Sequence, residues 1–305
     1  MTYSARALGA DTELSVEREG LRIGARFVDY ADVKALVPLN HRVLVDTLAG
    51  ERIEVSMLGF SYDGFWQELS GAFAARTKEA LFVEGSPIMS VEGDYETPYE
   101  KGRAQIELYP DSVCILPPTC GAVRIPLCFT HDMRLEGYRL SLATDTGLRF
   151  AVGRMGYDTV PFADRAREAA QKIQKERASL IAGLKLQPPF THAGLFRTTT
   201  PDLYWQAGYG AGRCAVELFT NEDAATYLYR FPEPPRVFTL RLEEALEAMG
   251  LHREIIWQTD EQLASKPLYR MAAARCPAVR YLRALADGRL IHNASHAERL
   301  AEYLK

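Results

Sequence analysis

From Arg42 to Ser56 the apolar and polar positions alternate with a period of two. Val43 and Val45 alternate with Leu44 and Asp46, and Ile53 and Val55 alternate with Arg52, Glu54 and Ser56. That period predicts two strands, each with one buried face. The four residues between them, Thr47-Leu48-Ala49-Gly50, end in a glycine where a hairpin needs positive φ. The period then changes. Phe65, Leu69, Phe73 and Ala74 recur at helical spacing, and Asp63 is positioned to cap the start.

The same pattern returns 97 residues later. Arg42 to Phe65 lies over Arg139 to Phe162 without gaps. Identities are Arg42/Arg139, Thr47/Thr144, Gly50/Gly147, Arg52/Arg149, Val55/Val152, Gly59/Gly156 and Phe65/Phe162. Val43/Leu140, Val45/Leu142, Ile53/Phe150, Leu58/Met155 and Phe60/Tyr157 add conservative pairs. A period this long points to two tandem copies of a small domain, not to a solenoid. In the second copy Pro161 suits a first helical turn, and Phe162, Ala166, Ala169, Ala170 and Ile173 share a face. That helix is expected to reach about Leu184.

Short strands are predicted upstream in both copies. The first copy offers Glu13 to Val16, Leu21 to Ile23, Ala25 to Tyr30 and Val33 to Leu36. The second offers Gln105 to Tyr109, Val113 to Leu116, Val123 to Leu127 and Tyr138 to Leu142. Several short strands and one closing helix, twice over, predict a small antiparallel barrel or sandwich with a helix over its open edge. This arrangement resembles the pleckstrin-homology-like (PH-like) fold, as found in tandem in bacterial proteins. The residues that carry the resemblance are the strand pairs, the turns Met57-Leu58-Gly59-Phe60 and Arg154-Met155-Gly156-Tyr157, and the helices. It covers roughly residues 10–185 and implies fold alone. Neither copy has a Lys/Arg cluster in its first hairpin, so no lipid-headgroup site is carried over.

The last third departs from this plan. Leu186-Gln187-Pro188-Pro189 marks a boundary, and 190–201 reads as an extended connection. Cys214 to Phe219 and Ala225 to Phe231 read as strands. Phe238, Leu242, Ala245, Leu246 and Met249 form a helix ended by Gly250. Glu254 to Gln258 reads as a strand, and 260–304 as helices broken at Pro267, Pro277 and Gly288. The expected organisation is α+β: PH-like domains at 1–85 and 86–187, and an α+β C-terminal domain at 188–305. Strand, turn, strand, helix in the last domain leaves a degenerate third copy open.

Charge narrows the function classes. The 36 basic residues against 40 acidic ones give a net charge of −4, without the positive excess that nucleic-acid binding needs. The sharpest charge feature is a window free of acids between Glu261 and Asp287, which holds Lys266, Arg270, Arg275, Arg280 and Arg283 beside Tyr269 and Tyr281. It is the candidate partner-binding face. A solvated helix face, an acidic protein or peptide surface, and single-stranded nucleic acid all fit such a window.

The five cysteines (Cys114, Cys120, Cys128, Cys214, Cys276) contain no Cys-x-x-Cys pair, which argues against zinc. Cys114 and Cys128 read as reduced core residues, as in a cytoplasmic protein. No apolar run is long enough to span a membrane, and the start of the chain does not read as a signal peptide.

Other candidates read structurally. Gly208, Gly210 and Gly212 precede a strand, so they suit a hairpin turn more than a phosphate loop. His292 and His296 lie four apart without an intervening Glu. Trp66, Trp205, Trp257, Tyr227 and Tyr229 could line a pocket or pack a sheet. Glu92 and Asp94 read as loop charges. No catalytic set can be assembled and no cofactor is implied. The leading expectation is therefore a non-catalytic binding or scaffold protein that docks a protein or peptide. An enzyme with a pocket gathering His252, His292, His296 or Tyr269 is the first alternative, and peripheral membrane association through the PH-like domains is the second.

Overall fold

Seven short strands precede each of the two long helices, and their burial alternates as a half-buried sheet requires. The computed structural model describes residues 2–182, 189–196, 203–219, 224–231, 234–249, 252–292 and 297–305. The first unit runs β1 (Thr2–Ala7), β2 (Ala10–Val16), β3 (Gly20–Ile23), β4 (Arg26–Asp29), β5 (Val33–Leu39), β6 (Arg42–Thr47) and β7 (Arg52–Ser56), then α1 (Tyr62–Ala80). The second runs β8 (Met89–Glu96), β9 (Lys101–Leu108), β10 (Ser112–Leu116), β11 (Val123–Pro126), β12 (Thr130–Glu136), β13 (Arg139–Thr144) and β14 (Arg149–Gly153), then α2 (Thr159–Ala182).

The two sheets have one topology. The strand orders are β4-β3-β2-β1-β7-β6-β5 and β11-β10-β9-β8-β14-β13-β12, and the paired neighbours are antiparallel. The predicted hairpin aligns Val43 with Val55 and Val45 with Ile53; its counterpart aligns Leu140 with Val152 and Leu142 with Phe150. Each helix closes its own sheet. Phe65, Leu69 and Phe73 of α1 are buried among Leu14, Val43, Val45 and Ile53. Phe162, Ala163 and Ala166 of α2 fill the second core beside Ile106, Leu140 and Val152. Burying one such large side chain contributes about 1.5–3 kcal/mol, so each core far outweighs any single surface ion pair. Edge-on ring contacts, Tyr3–Phe65 at 5.1 Å and Tyr30–Phe73 at 5.6 Å, fix α1 on its sheet.

The third unit contains β15 (His192–Phe196), β16 (Leu203–Gly210), β17 (Arg213–Phe219), β18 (Ala224–Arg230), α3 (Pro235–Met249), α4 (Asp260–Ala264), α5 (Pro267–Arg275), α6 (Pro277–Leu285), β19 (Ala286–His292) and α7 (Ala297–Tyr303). Its sheet is a five-stranded meander in the order β15-β16-β17-β18-β19. That order differs from the seven-stranded pattern of the first two units. One face packs Trp205, Val216, Tyr227 and Tyr229 against Phe238, Leu242 and Leu282.

Several elements differ from expectation. The predicted strand Glu254 to Gln258 is a 3-10 turn, Arg253–Ile256, whose Ile255 and Ile256 plug the core. Residues 286–292, expected to lie among helices, form β19 against β18. Strand β15 lies within the stretch read as a connection, and β1, β8, β12 and β16 are strands that the pattern did not predict. Glu92 and Asp94 therefore sit on β8, not in a loop. Asp63 lies in the first turn of α1 and makes no cap; Ser61 holds the N-cap position without a side-chain bond.

The units are joined by specific contacts. The second unit's hairpin extends the edge of β5, where Leu36 N–H donates to Pro118 O and Cys120 N–H donates to Lys34 O, both at 2.7 Å. An exposed strand edge is thereby partly covered. Arg124 ties the second unit to α3 by donating to Glu247 O at 2.9 Å and to Asp111 Oδ2 at 2.7 Å. Met271 of α5 is buried in the first unit's core. Among the described residues no helix is long and apolar enough to cross a membrane.

Candidate docking surface

The turn from the last strand into the helix is built alike in both seven-stranded units. After β7, Met57 takes φ +59°, Leu58 is buried in the core, Gly59 takes φ +55°, and Phe60 stands out in solvent. After β14, Arg154 takes φ +53°, Met155 is buried, Gly156 takes φ +61°, and Tyr157 stands out. Relative to an extended chain Phe60 and Tyr157 are 110% and 102% exposed, so neither ring rests on its own domain.

The geometry follows from the backbone. A left-handed residue reverses the chain, the next side chain points inward, the glycine reverses it again, and the aromatic points outward. Both turns close by local bonds, with Ser61 N–H donating to Leu58 O at 3.0 Å and Asp158 N–H to Met155 O at 3.2 Å. A non-glycine residue in the left-handed region costs about 1–2 kcal/mol. Met57 and Arg154 both carry that cost at equivalent positions.

Each knuckle adjoins the turn that leads into the partner of its last strand, β5 to β6 in the first unit and β12 to β13 in the second. Beside the first lie His41, whose ring is 5.3 Å from Tyr62, and exposed Met57. A shallow hollow of about 510 Å³ opens there between Asn40, His41, Glu54 and Met57. Beside the second, Arg154 N–H donates to Tyr138 O at 3.1 Å, and the Tyr138 ring is exposed. His41 and Tyr138 are again repeat equivalents. Charges near the knuckles are neutralised: Arg42 meets Glu54 at 3.0 Å and Arg154 meets Asp94 at 3.1 Å.

The basic window does not form one face. Lys266 is exposed, with its ammonium 5.2 Å from the Tyr269 ring centre. Arg270 crosses to the first unit and pairs with Asp32 at 3.0 Å. Arg283 clamps the chain by donating to Ile255 O, Gln258 O and Asp260 Oδ1 at 2.5–2.7 Å. Arg275 is buried. Arg280 is exposed and shares a hollow of about 350 Å³ with Arg270 and Arg283. Lys266, Arg270 and Arg280 are what an acidic partner could reach. The solvated-face reading fails for Arg275, because α5 packs against α1 of the first unit, and for Arg283, because it is held by carbonyls and an acid of its own unit.

The residues named for a catalytic pocket are dispersed. His252 Nδ1 lies 2.7 Å from Tyr269 Oη, and its ring stacks on Phe82 at 4.9 Å in an exposed setting. Burial and the neighbouring Glu254 push the Tyr269 phenol up to about 12. His292 lies elsewhere, on β19, with Nε2 2.9 Å from Thr226 Oγ1 and 3.9 Å from Glu217 Oε1. His296 lies outside the described residues. Gln206 donates to Glu217 Oε2 at 2.7 Å, completing a buried polar cluster on the central strands. Sequence reading missed this cluster, whose signal was the polar residues Gln206, Glu217 and Thr226 inside otherwise apolar strands.

Trp257 stacks on Tyr227 at 5.1 Å, Trp205 is a core residue, and Trp66 is half-buried against the first core. They pack sheets and helices; Tyr227 and Tyr229 belong to the same core. Gly210 ends β16, and Ala211-Gly212 form the hairpin turn. Cys114 is a core residue, whereas Cys128 is half-buried and donates to Glu247 Oε2 at 2.6 Å. The knuckles had a visible signal: a glycine before an aromatic, repeated at the same place in both copies.

No protein-family model matches the chain, and no curated protein matches it.

Proposed function

We propose that this is a non-catalytic scaffold protein that docks a protein partner on the Phe60 and Tyr157 knuckles. The observation that carries the reading is the repetition of an outward-pointing aromatic at equivalent turns of two units, each turn holding a left-handed non-glycine residue. Left-handed strain at a non-glycine residue persists where the exposed geometry has a use. An exposed ring on a rigid turn is the kind of anchor that fills a pocket on a partner. The shared strand order and closing helix support reading both units as PH-like. An anionic membrane would call for a basic surround, whereas the arginines at the knuckles are paired with acids.

The test is affinity capture by the tagged full chain from its host's lysate, beside a Phe60→Ser/Tyr157→Ser variant whose fold is checked by circular dichroism. A stoichiometric protein held by the parent and lost from the folded variant is the expected result. Equal capture by both, or retention of a metabolite with no protein, would overturn the reading. Cosedimentation with phosphatidylserine vesicles that weakens with salt would favour the membrane instead.

A further inference from the structure

The two seven-stranded units differ on the outward face of the hairpin that precedes each long helix. In the first unit that face carries two acids, each tied to an arginine. Arg52 donates to both Asp46 oxygens at 2.6 and 2.9 Å, and Arg42 meets Glu54 at 3.0 Å. In the repeat alignment Asp46 falls on Ala143 and Glu54 on Ala151, while Arg42 and Arg52 fall on Arg139 and Arg149. The second unit therefore has the arginines without the acids. Arg139 pairs instead with Glu96 at 2.7 Å. Arg149 is exposed, and its side chain makes no ion pair or hydrogen bond among the described residues.

Two alanines in place of two acids also make room. A hollow of about 570 Å³ lies on this face, with Ser141, Ala143 and Ala151 on its floor and Arg149 on its rim. Arg134, also on the rim, is held by Asp132 at 2.9 Å. Ala143 stands opposite Arg149 in the same register as Asp46 opposite Arg52. The first unit thus shows where a carboxylate sits against this guanidinium. Glu136, an acid with no side-chain partner among the described residues, stands at the other end of the hollow, opposite Arg139 and beside the Gly137-Tyr138 turn. That end adjoins the Tyr157 knuckle through Tyr138, so the hollow continues the docking surface.

We propose, on the reading that the knuckles dock a protein, that this hollow receives an acidic side chain from an extended segment of the same partner, its carboxylate taking Arg149 as Asp46 takes Arg52. Such a fork is bidentate and charge-assisted, which fixes the geometry of the contact as well as its sign. Glu136 repels an acid at the knuckle end, so the acidic residue lies at the Arg149 end. From Arg139 to Ala143 the floor strand spans about 13 Å, room for about four extended residues.

The test is photo-crosslinking of the full chain in its host cell, with the reactive amino acid at position 136 or 157. Ala143→Asp supplies Arg149 with the acid the first unit already carries, so it closes the hollow with a pair this fold accommodates. Arg149→Glu reverses the charge, and Leu48→Asp adds an acid on the exposed turn of the first unit's hairpin instead. Circular dichroism checks each variant's fold. Positions 136 and 157 are expected to give the same crosslinked protein. Ala143→Asp and Arg149→Glu should each lower both yields by about fivefold, the worth of one ion pair, and Leu48→Asp should leave them unchanged. A protein crosslinked from 157 with equal yield in Ala143→Asp or Arg149→Glu would overturn the acidic contact and leave the knuckle reading standing. An equal fall with Leu48→Asp would assign the effect to net charge and overturn it too. No protein from 157, with one from 136 that Ala143→Asp removes, would support the hollow and sink the knuckle; silence from both positions would sink both.

Discussion

The knuckle turns make opposite predictions for neighbouring residues. Leu58 is 5% exposed and sits in the first core, whereas Phe60 is free in solvent. Leu58→Ala removes three carbon atoms, worth about 2.4 kcal/mol at roughly 0.8 kcal/mol each. The cavity left behind brings the loss to about 3–4 kcal/mol. With a urea slope of about 2 kcal/mol/M, the unfolding midpoint falls by about 1.5–2 M. Phe60→Ala removes a larger side chain and is expected to change stability by no more than about 0.5 kcal/mol. The second unit repeats the contrast with Met155→Ala and Tyr157→Ala. Far-UV circular dichroism during urea unfolding is the suitable probe there, because 86–187 contains no tryptophan. A Phe60→Ala loss as large as that of Leu58→Ala would show that the ring is packed, and the docking surface would disappear with it.

Three further outcomes follow from the packing. Arg124→Met strips donors from Asp111, Ser112 and the Glu247 carbonyl, and is expected to cost about 2–4 kcal/mol and to split urea unfolding into separable transitions; one unchanged transition would deny the joint its role. A Cβ at Gly153 would run into the Tyr138 carbonyl, while one at Gly156 meets nothing within 4 Å, so Gly153→Ala should lose more than about 2 kcal/mol and Gly156→Ala about 1 kcal/mol in the same assay, and equal losses would contradict the turn geometry. Burial pushes Cys114 and Cys276 up to about 12 and Cys214 further still, so a thiol reagent at pH 8 should label only Cys120 and Cys128 in the folded chain, as read by peptide mass spectrometry; rapid labelling of the other three would mean an opened core.

What the sequence disclosed tracks the strength of its periodicity. The pairs β6–β7 and β13–β14 were legible because a large apolar residue recurs at every second position, Val43, Val45, Ile53 and Val55 in one and Leu140, Leu142, Phe150 and Val152 in the other. Both long helices were legible from their aromatic and alanine faces. Strand β1 was not, because its inward positions are Tyr3 and two alanines, and β8 was hidden by the inward Gly93. Strand β19 is mostly exposed and held by pairing with β18, which carries no sequence signature of its own.

The site was legible only in part. The repeat alignment paired Phe60 with Tyr157, but an aromatic after a glycine reads equally well as core, and only the left-handed residue two before that glycine sends the ring outward. The arginines of α5 and α6 looked like one solvated face because their partners are distant in sequence: Phe73 for Arg275, Asp32 for Arg270, and the Ile255 and Gln258 carbonyls for Arg283. Such tertiary pairings leave no local pattern.

The central claim is that the two knuckles touch a protein partner, and it can be tested in the host cell. A photo-crosslinking amino acid is placed at position 60, at position 157, or at the exposed control position Leu290. Irradiation should give the same crosslinked protein from positions 60 and 157 and none of it from 290. Crosslinks absent from both knuckles, or shared with the control position, would contradict the account.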